Sequence, residues 1–430
     1  AFLCPANTRQ EKTMISGEQT LQATELLSWQ DKLSRKIMLK IFASLPEGEL
    51  VIKEKGVLVG VFGQKGSDLR GEINFLDLRV YRRLLFGGSV ASGETFTEGL
   101  WETPNLTNVI RIFARNLPTL DRWEGKMEWL ALPLRKLAHI AKRNSAEQAK
   151  KNIADHYDLG NKLYTRFLDE NMMYSSAIYP QANTSLHQAQ QTKLKAICDK
   201  LQLSPEDHLL EIGTGWGGLA IFAAKNYGCK VTTTTISEEQ YQYAVDWVKR
   251  ENLQQQITLL KKDYRLLEGQ YDKLVSIEMI EAVGKEYLPT FFAQCSGLLK
   301  KQGLMLLQSI TINDQRLHTY SNSVDFIQKH IFPGGFLPSQ LLINQHLKQH
   351  TDMMIRDLHD IGLDYARTLQ DWHKQFLANH ELLTEDGYDQ RFMNMWRYYL
   401  SYCEGGFLER TISTVQLVLS KPAFTASLSR

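Results

Sequence analysis

A chain of 430 residues, 43% hydrophobic and 23% charged, is long and apolar enough to bury a large core, which excludes an intrinsically disordered protein and makes two domains the expectation. Fifty Lys and Arg against 48 Asp and Glu leave a formal charge of +2, so no global field draws the chain onto nucleic acid. The five scattered cysteines (Cys4, Cys198, Cys229, Cys295, Cys403) form no Cys-x-x-Cys pair and argue against a disulfide framework or a cysteine-based zinc site.

Residues 24–44 place Leu26, Leu27, Leu33, Ile37, Leu39 and Ile41 at helical intervals, with Lys32, Arg35, Lys36 and Lys40 between them. This pattern predicts an amphipathic basic helix. From 49 to about 120, β-branched alternation and glycine punctuation predict short strands in a small α+β unit. A second basic stretch, Arg135 to Lys151, reads as a linker helix. After residue 190, strand signals at HLLEI (208–212), KVTTTTI (230–236), ITLLK (257–261), DKLVSI (272–277) and GLMLLQSIT (303–311) alternate with helix-length segments, the signature of a parallel α/β sheet. Residues 312–390 interrupt the alternation and are placed to form a lid over the strand ends, before TISTVQLVLS (411–420) reads as a final strand. No apolar run approaches the roughly 18 to 20 residues of a spanning helix, and the first 30 residues lack the order of a signal peptide. The sequence opens on Ala1 rather than Met, which leaves the native start open; the expectation is a soluble, cytoplasmic protein.

Glu211-Ile212-Gly213-Thr214-Gly215-Trp216-Gly217-Gly218 sets a glycine-rich turn between a strand and a helix, where the backbone can approach a ligand closely. A dinucleotide loop would carry its third glycine one residue later and an acid after the second strand, whereas here that strand ends in Thr-Thr-Thr-Thr-Ile-Ser. The form is instead that of class I S-adenosylmethionine-dependent methyltransferases. Around it stand, in order, His156-Tyr157-Asp158-Leu159-Gly160-Asn161, Met172-Met173-Tyr174-Ser175, Thr235-Ile236-Ser237, Asp263-Tyr264-Arg265, Ile280-Glu281-Ala282-Val283-Gly284 and Ile331-Phe332-Pro333-Gly334-Gly335-Phe336. In these motifs, over about 150–422, the chain resembles the cyclopropane-fatty-acyl-phospholipid synthases and mycolic acid methyltransferases.

The resemblance implies a Rossmann-like α/β methyltransferase domain at 151–430 with a helical lid, a smaller lipid-associating α+β domain at 1–125, and a basic linker at 126–150. It implies a homodimer, associated peripherally with the inner face of the membrane, that acts on unsaturated phospholipid acyl chains and takes S-adenosylmethionine as cofactor. Tyr174, Ser175, Gly213, Thr214, Gly215, Gly217, Thr235, Ile236, Gln240, Tyr264 and Arg265 fall on the cofactor positions. In the family, methyl transfer to the double bond is followed by proton removal by a bound bicarbonate. Glu281, Tyr365, Cys403 and the backbone of Ile310 fall on the positions around that anion, and His156 near the pocket mouth.

Four positions depart from the family. Ser176 replaces a pocket cysteine, Gln308 a histidine, Ala282 the histidine that often follows the glutamate, and Glu278 a glycine. Bicarbonate would then rest on neutral donors from Gln308, Tyr365, Ser176 and the backbone, a weaker charge match. The alternative is that a carboxylate of the chain, Glu278 or Glu281, takes over proton removal, or steers the cation to a methyl-branched, methylene or methylated-diene product. Cys403, among Tyr398, Tyr399, Tyr402 and Phe407, reads as a pocket-lining thiol rather than a nucleophile. His346 and His350, four apart without a third ligand, read as a packed pair. A methyltransferase for a soluble small molecule and a non-catalytic lipid-binding relict are the competing classes.

Overall fold

The computed structural model describes residues 27–123 and 160–428. His156 and the basic stretch at 135–151 lie outside the described residues. The amino-terminal unit opens with α1 (Trp29–Ala43), capped by Ser28, whose hydroxyl accepts the Asp31 N–H at 3.2 Å. Its inward face is Asp31, Ser34, Met38, Ile41 and Phe42, not the leucine stripe. Leu33 points outward, and Arg35 turns in to pair with Glu54 at 2.6 Å. Met38, Ile41 and Phe42 meet the core with Ile37 and Leu39 packed beside them, and the charge pairs Arg35 with Glu54 and Asp31 with Arg82 flank that face.

Strands β1 (Glu49–Glu54), β2 (Val57–Gly63), β3 (Arg70–Phe75) and β4 (Trp101–Glu102) form a sheet in the order β2-β1-β3-β4. It is joined by α2 (Val80–Thr97), which breaks at Gly88 (φ 53°, ψ −137°), and α3 (Leu106–Arg115).

The carboxy-terminal unit runs α4 (Leu186–Lys200), β5 (His208–Ile212), α5 (Gly218–Tyr227), β6 (Lys230–Thr235), α6 (Glu238–Arg250), β7 (Ile257–Lys261), β8 (Tyr271–Ile277), α7 (Leu288–Leu298), β9 (Leu299–Ile312), α8 (Gln340–His350), β10 (Met354–Asp360), α9 (Gly362–Ala378), α10 (Gln390–Leu408) and β11 (Ile412–Ser420). The sheet order is β10-β11-β9-β8-β5-β6-β7. β5 to β9 are mutually parallel, and β11 is antiparallel to both neighbours. The expected strands are all present, and the parallel core is the expected Rossmann-like α/β fold.

The expected lid is corrected in extent. Within 312–390, residues 354–360 are an edge strand, hidden from pattern reading because all seven residues of MIRDLHD are exposed and show no alternation. Helix α8 packs against α7, with His346 stacked on Phe292 at 6.0 Å. Within 312–390, the cavity described below is lined by residues between 312 and 337 and by Tyr365 and Leu369.

The two units meet along α10. The Thr107 hydroxyl donates to Glu404 at 2.8 Å, and Arg111 and Arg115 both reach Glu409 at 2.6 Å. Backbones approach closely at two glycines. A Cβ on Gly405 would stand 2.6 Å from Ile110 Cγ2, and one on Gly93 2.2 Å from Phe326 Cδ2. Gly405→Val should therefore overpack this seam at a cost of about 1–3 kcal/mol, read as a lower urea midpoint and faster proteolysis between the units.

Candidate active site

The parallel strands end on one edge of the sheet, and the glycine turn sits at its centre. Gly213, Gly215 and Gly217 all have positive φ (106°, 53° and 99°), so the turn needs residues without a Cβ. The N–H groups of Gly213 and Thr214 both donate to the Thr234 carbonyl, at 3.1 and 3.0 Å. Thr214 and Thr233 hydroxyls meet at 2.7 Å, and Thr233 donates to Glu211 at 2.6 Å. Burial pushes the Glu211 carboxyl up to about 8.

At the end of β6, Thr235 donates to Gln240 Oε1 at 2.9 Å, Ile236 follows, and Ser237 caps α6. Beyond β7, Asp263 clamps Arg265 through two bonds of 2.9 and 2.6 Å, and the Tyr264 ring packs edge-on to Phe291. The sheet thus brings together the expected cofactor residues from 213 to 265. This donor set fits S-adenosylmethionine. The glycine turn leaves open space at Gly215, and the N-terminus of α5 favours a carboxylate. When bound, the cofactor supplies an electrophilic methyl group.

Tyr174, Ser175 and Ser176 lie on an extended segment latched to α9, where Ala177 N–H donates to Thr368 and Tyr179 N–H to Asp364, each at 3.0 Å. The Tyr174 hydroxyl meets that of Tyr399 at 2.9 Å. The Ser175 hydroxyl accepts from Lys193 Nζ at 2.7 Å. Lys193 is fully buried, and burial pulls its ammonium down to about 8. The sequence reading missed Lys193; its signal is a lysine on the inward stripe Gln190, Lys193, Leu194, Ile197 of α4.

Two carboxylates follow β8. Glu278 Oε1 accepts from the Ser176 N–H at 2.9 Å and from Gln308 Nε2 at 2.8 Å, while Oε2 accepts from the Tyr365 hydroxyl at 2.7 Å. The Gln308 carbonyl oxygen accepts from Gln416 Nε2 at 2.9 Å, and Lys200 Nζ donates to Gln416 at 3.0 Å. The sheet register explains this row, since Gln308 is the partner of Ile277 on one side and of Gln416 on the other. Gln416 carried no recognisable signal of its own.

Glu281 Oε1 accepts the Ile310 N–H at 2.5 Å, and its buried Oε2 has no hydrogen-bond partner among the described residues. The donors expected on a bound anion are therefore engaged by the chain's own carboxylates. The Ser176 hydroxyl, expected as one of them, turns away to the Ala177 carbonyl at 3.0 Å, and its backbone N–H serves instead.

Glu278 and Glu281 are half-buried, and what they face is a cavity rather than bulk solvent. Poor solvation raises both carboxyls, and the neighbouring Glu278 charge raises Glu281 further, to about 8. Three donors and the nearby Lys193 counter the rise at Glu278. Both carboxyls are thus raised, Glu278 with three donors set against the rise and Glu281 with a single backbone N–H.

The cavity, of about 960 Å³, is lined by Tyr174, Glu278, Glu281, Tyr365 and Cys403 and by Phe42, Phe113 and Trp123 of the amino-terminal unit. That volume lies at the upper end of the roughly 300–1,000 Å³ typical of ligand sites. Burial and Asp325 push the Cys403 thiol up, so it stays protonated and lines the wall. No cluster of three metal-ligating side chains occurs among the described residues, and His346 and His350 stack on each other.

Glu281 should also leave a trace in stability. Its folded carboxyl titrates near 8, above the ordinary value of about 4.3, so the folded state binds the extra proton between those values. The stability this supplies is complete below about 4.3 and is lost as pH rises through 8, at a slope of up to about 1.4 kcal/mol per pH unit. Glu281→Gln should remove that slope, so thermal melts of the two proteins from pH 5 to 8 should diverge in that direction.

Residues 144–417 match the family model for mycolic acid cyclopropane synthetase. The chain is 38% identical over 355 residues to the cyclopropane-fatty-acyl-phospholipid synthase of Escherichia coli K12, covering 80% of this chain and 88% of that one. It is 36% identical over 345 residues to the tuberculostearic acid methyltransferase UfaA1 of Mycobacterium tuberculosis, covering 79% and 80%. Among solved structures, the mycolic acid cyclopropane synthase CmaA1 complexed with SAH and CTAB superposes with a TM-score of 0.60 at 27% identity, over 63% of this chain and 98% of that one. By the family match over most of its length and the likeness to these relatives, the chain belongs to the mycolic acid cyclopropane synthetase family of S-adenosylmethionine-dependent methyltransferases.

Proposed function

We propose that this enzyme methylates a cis double bond in an acyl chain of an unsaturated phospholipid and closes the product to a cyclopropane. The observation that carries the reading is the cavity, whose lining joins Tyr174 and the carboxylate pair to apolar side chains of the amino-terminal unit. An isolated alkene is a weak nucleophile, so its π electrons must be held in line with the sulfonium methyl, and the cation that follows must be kept from water. Tyr174, Tyr365 and Phe407 supply aromatic walls, with Tyr365 stacked on Phe407 at 4.5 Å. The E. coli cyclopropane-fatty-acyl-phospholipid synthase, similar over most of both chains, supports the substrate class. A small polar substrate would leave most of this apolar wall without a partner.

The amino-terminal unit suits contact with a lipid surface. Trp29 (72% exposed) and Leu33 (48%) stand one turn apart on α1 beside the exposed Lys32, Lys36 and Lys40. Phe86 (51% exposed) lies at the helix break by Gly87 and Gly88 and also lines the cavity, so an acyl chain could enter there. A second product reading rests on the comparable likeness to the tuberculostearic acid methyltransferase. In it the cation shifts by one carbon before the methyl proton is lost, giving a methylene branch.

Incubation with methyl-labelled S-adenosylmethionine and vesicles of unsaturated phospholipid should yield fatty acids heavier by one CH2. Resistance of that product to mild hydrogenation marks the cyclopropane, and uptake of hydrogen marks the methylene branch. Absence of label in every lipid overturns the reading. Cys403→Ala should keep most of the activity, because the wall thiol forms no bond; a loss of 100-fold or more (about 2.7 kcal/mol) would give it a larger part.

A further inference from the structure

We infer that Glu278 is the proton acceptor of the ring-closing step, a base carried by the chain itself where the resemblance implies a bound bicarbonate. This rests on the lipid alkylation proposed above. The first ground is geometric. Ser176 N–H, Gln308 Nε2 and Tyr365 Oη come from three separate elements and converge on one carboxylate at 2.7–2.9 Å, leaving no donor among them for a second anion.

The second ground is conformational. Glu278 has φ +49°, in the left-handed region, which strains a residue with a Cβ. A glycine, as in the family pattern, would sit there without strain. Such strain persists where surroundings over-determine it, characteristically at functional sites. Here the three donors over-determine it. The third ground is position: Glu278 lines the cavity together with Tyr174 and Tyr365, and its neighbour Met279 stands against the glycine turn, 3.3 Å from where a Cβ on Gly213 would be.

The step balances without another reactant. The π pair of the alkene forms the bond to the methyl carbon as the C–S pair stays on sulfur, and the second alkene carbon is left cationic. One methyl C–H pair then becomes the third ring bond, and its proton passes to Glu278. A sulfonium and a carboxylate thus become a thioether and a carboxylic acid, and the proton is released to water as product leaves. A proton beside a carbocation is strongly acidic, so position matters more than basicity. An ionised carboxylate has about four lone-pair sites, and the three donors leave one open.

The test compares wild type with Glu278→Gly and Glu278→Gln in buffer stripped of carbon dioxide, with cofactor binding by calorimetry as the control for folding. Wild type should turn over unlabelled by any need for bicarbonate. Both variants should bind cofactor and lose about 100-fold or more in rate, and Glu278→Gly should recover on adding bicarbonate or acetate. Independently of turnover, 13C-bicarbonate followed by NMR should bind to Glu278→Gly and not to wild type. Loss of wild-type activity on stripping bicarbonate, wild-type rates in either variant without it, or equal bicarbonate binding by both proteins overturns the inference. Should Glu278→Gly fail to fold, the rate of Glu278→Gln decides. If wild type labels no lipid, the alkylation reading falls, and with it the role as base, while bicarbonate binding by Glu278→Gly alone would still establish that the side chain fills the anion site.

Discussion

An enclosed carboxylate, held by donors from three parts of the chain, is the constraint on which the site depends. Removing a carboxylate from water costs several kcal/mol unless hydrogen bonds replace the lost hydration. Glu278 obtains them from the segment carrying Ser176, from Gln308 on β9 and from Tyr365 on α9. Those elements are thereby fixed relative to one another. The same segment carries Tyr174 and Ser175, and the same helix latches Ala177 and Tyr179, so the cofactor edge and the cavity wall share one frame.

Glu278 and Glu281 sit in unequal surroundings. One carboxyl has three donors and a nearby lysine; the other has a single backbone N–H and an orphaned oxygen. Burial raises both carboxyls, and the neighbouring Glu278 adds to the rise at Glu281.

The amino-terminal unit completes the cavity. Helix α10 presents Glu404, Gly405 and Glu409 to α3 on one face and Tyr399 and Cys403 to the cavity on another. Close approach at Gly93 and Gly405 lets apolar side chains of both units merge in one core, so the cavity is walled by residues far apart in sequence.

The sequence alone determined the strands of the parallel sheet and the glycine turn, because short apolar or β-branched runs between helix-length segments and glycine spacing are local signals. It did not determine what Glu278 does. That a carboxylate reaches back to meet Ser176, Gln308 and Tyr365, 102, 30 and 87 residues away, depends on strand register and helix packing, which no local pattern encodes. The edge strand Met354–Asp360 stayed hidden because an exposed strand needs no apolar alternation, and Lys193 because a buried lysine looks in sequence like a solvated one. For Glu278 and Lys193 the deciding term was desolvation of a charged group, and its size depends on neighbours that only the tertiary fold brings close.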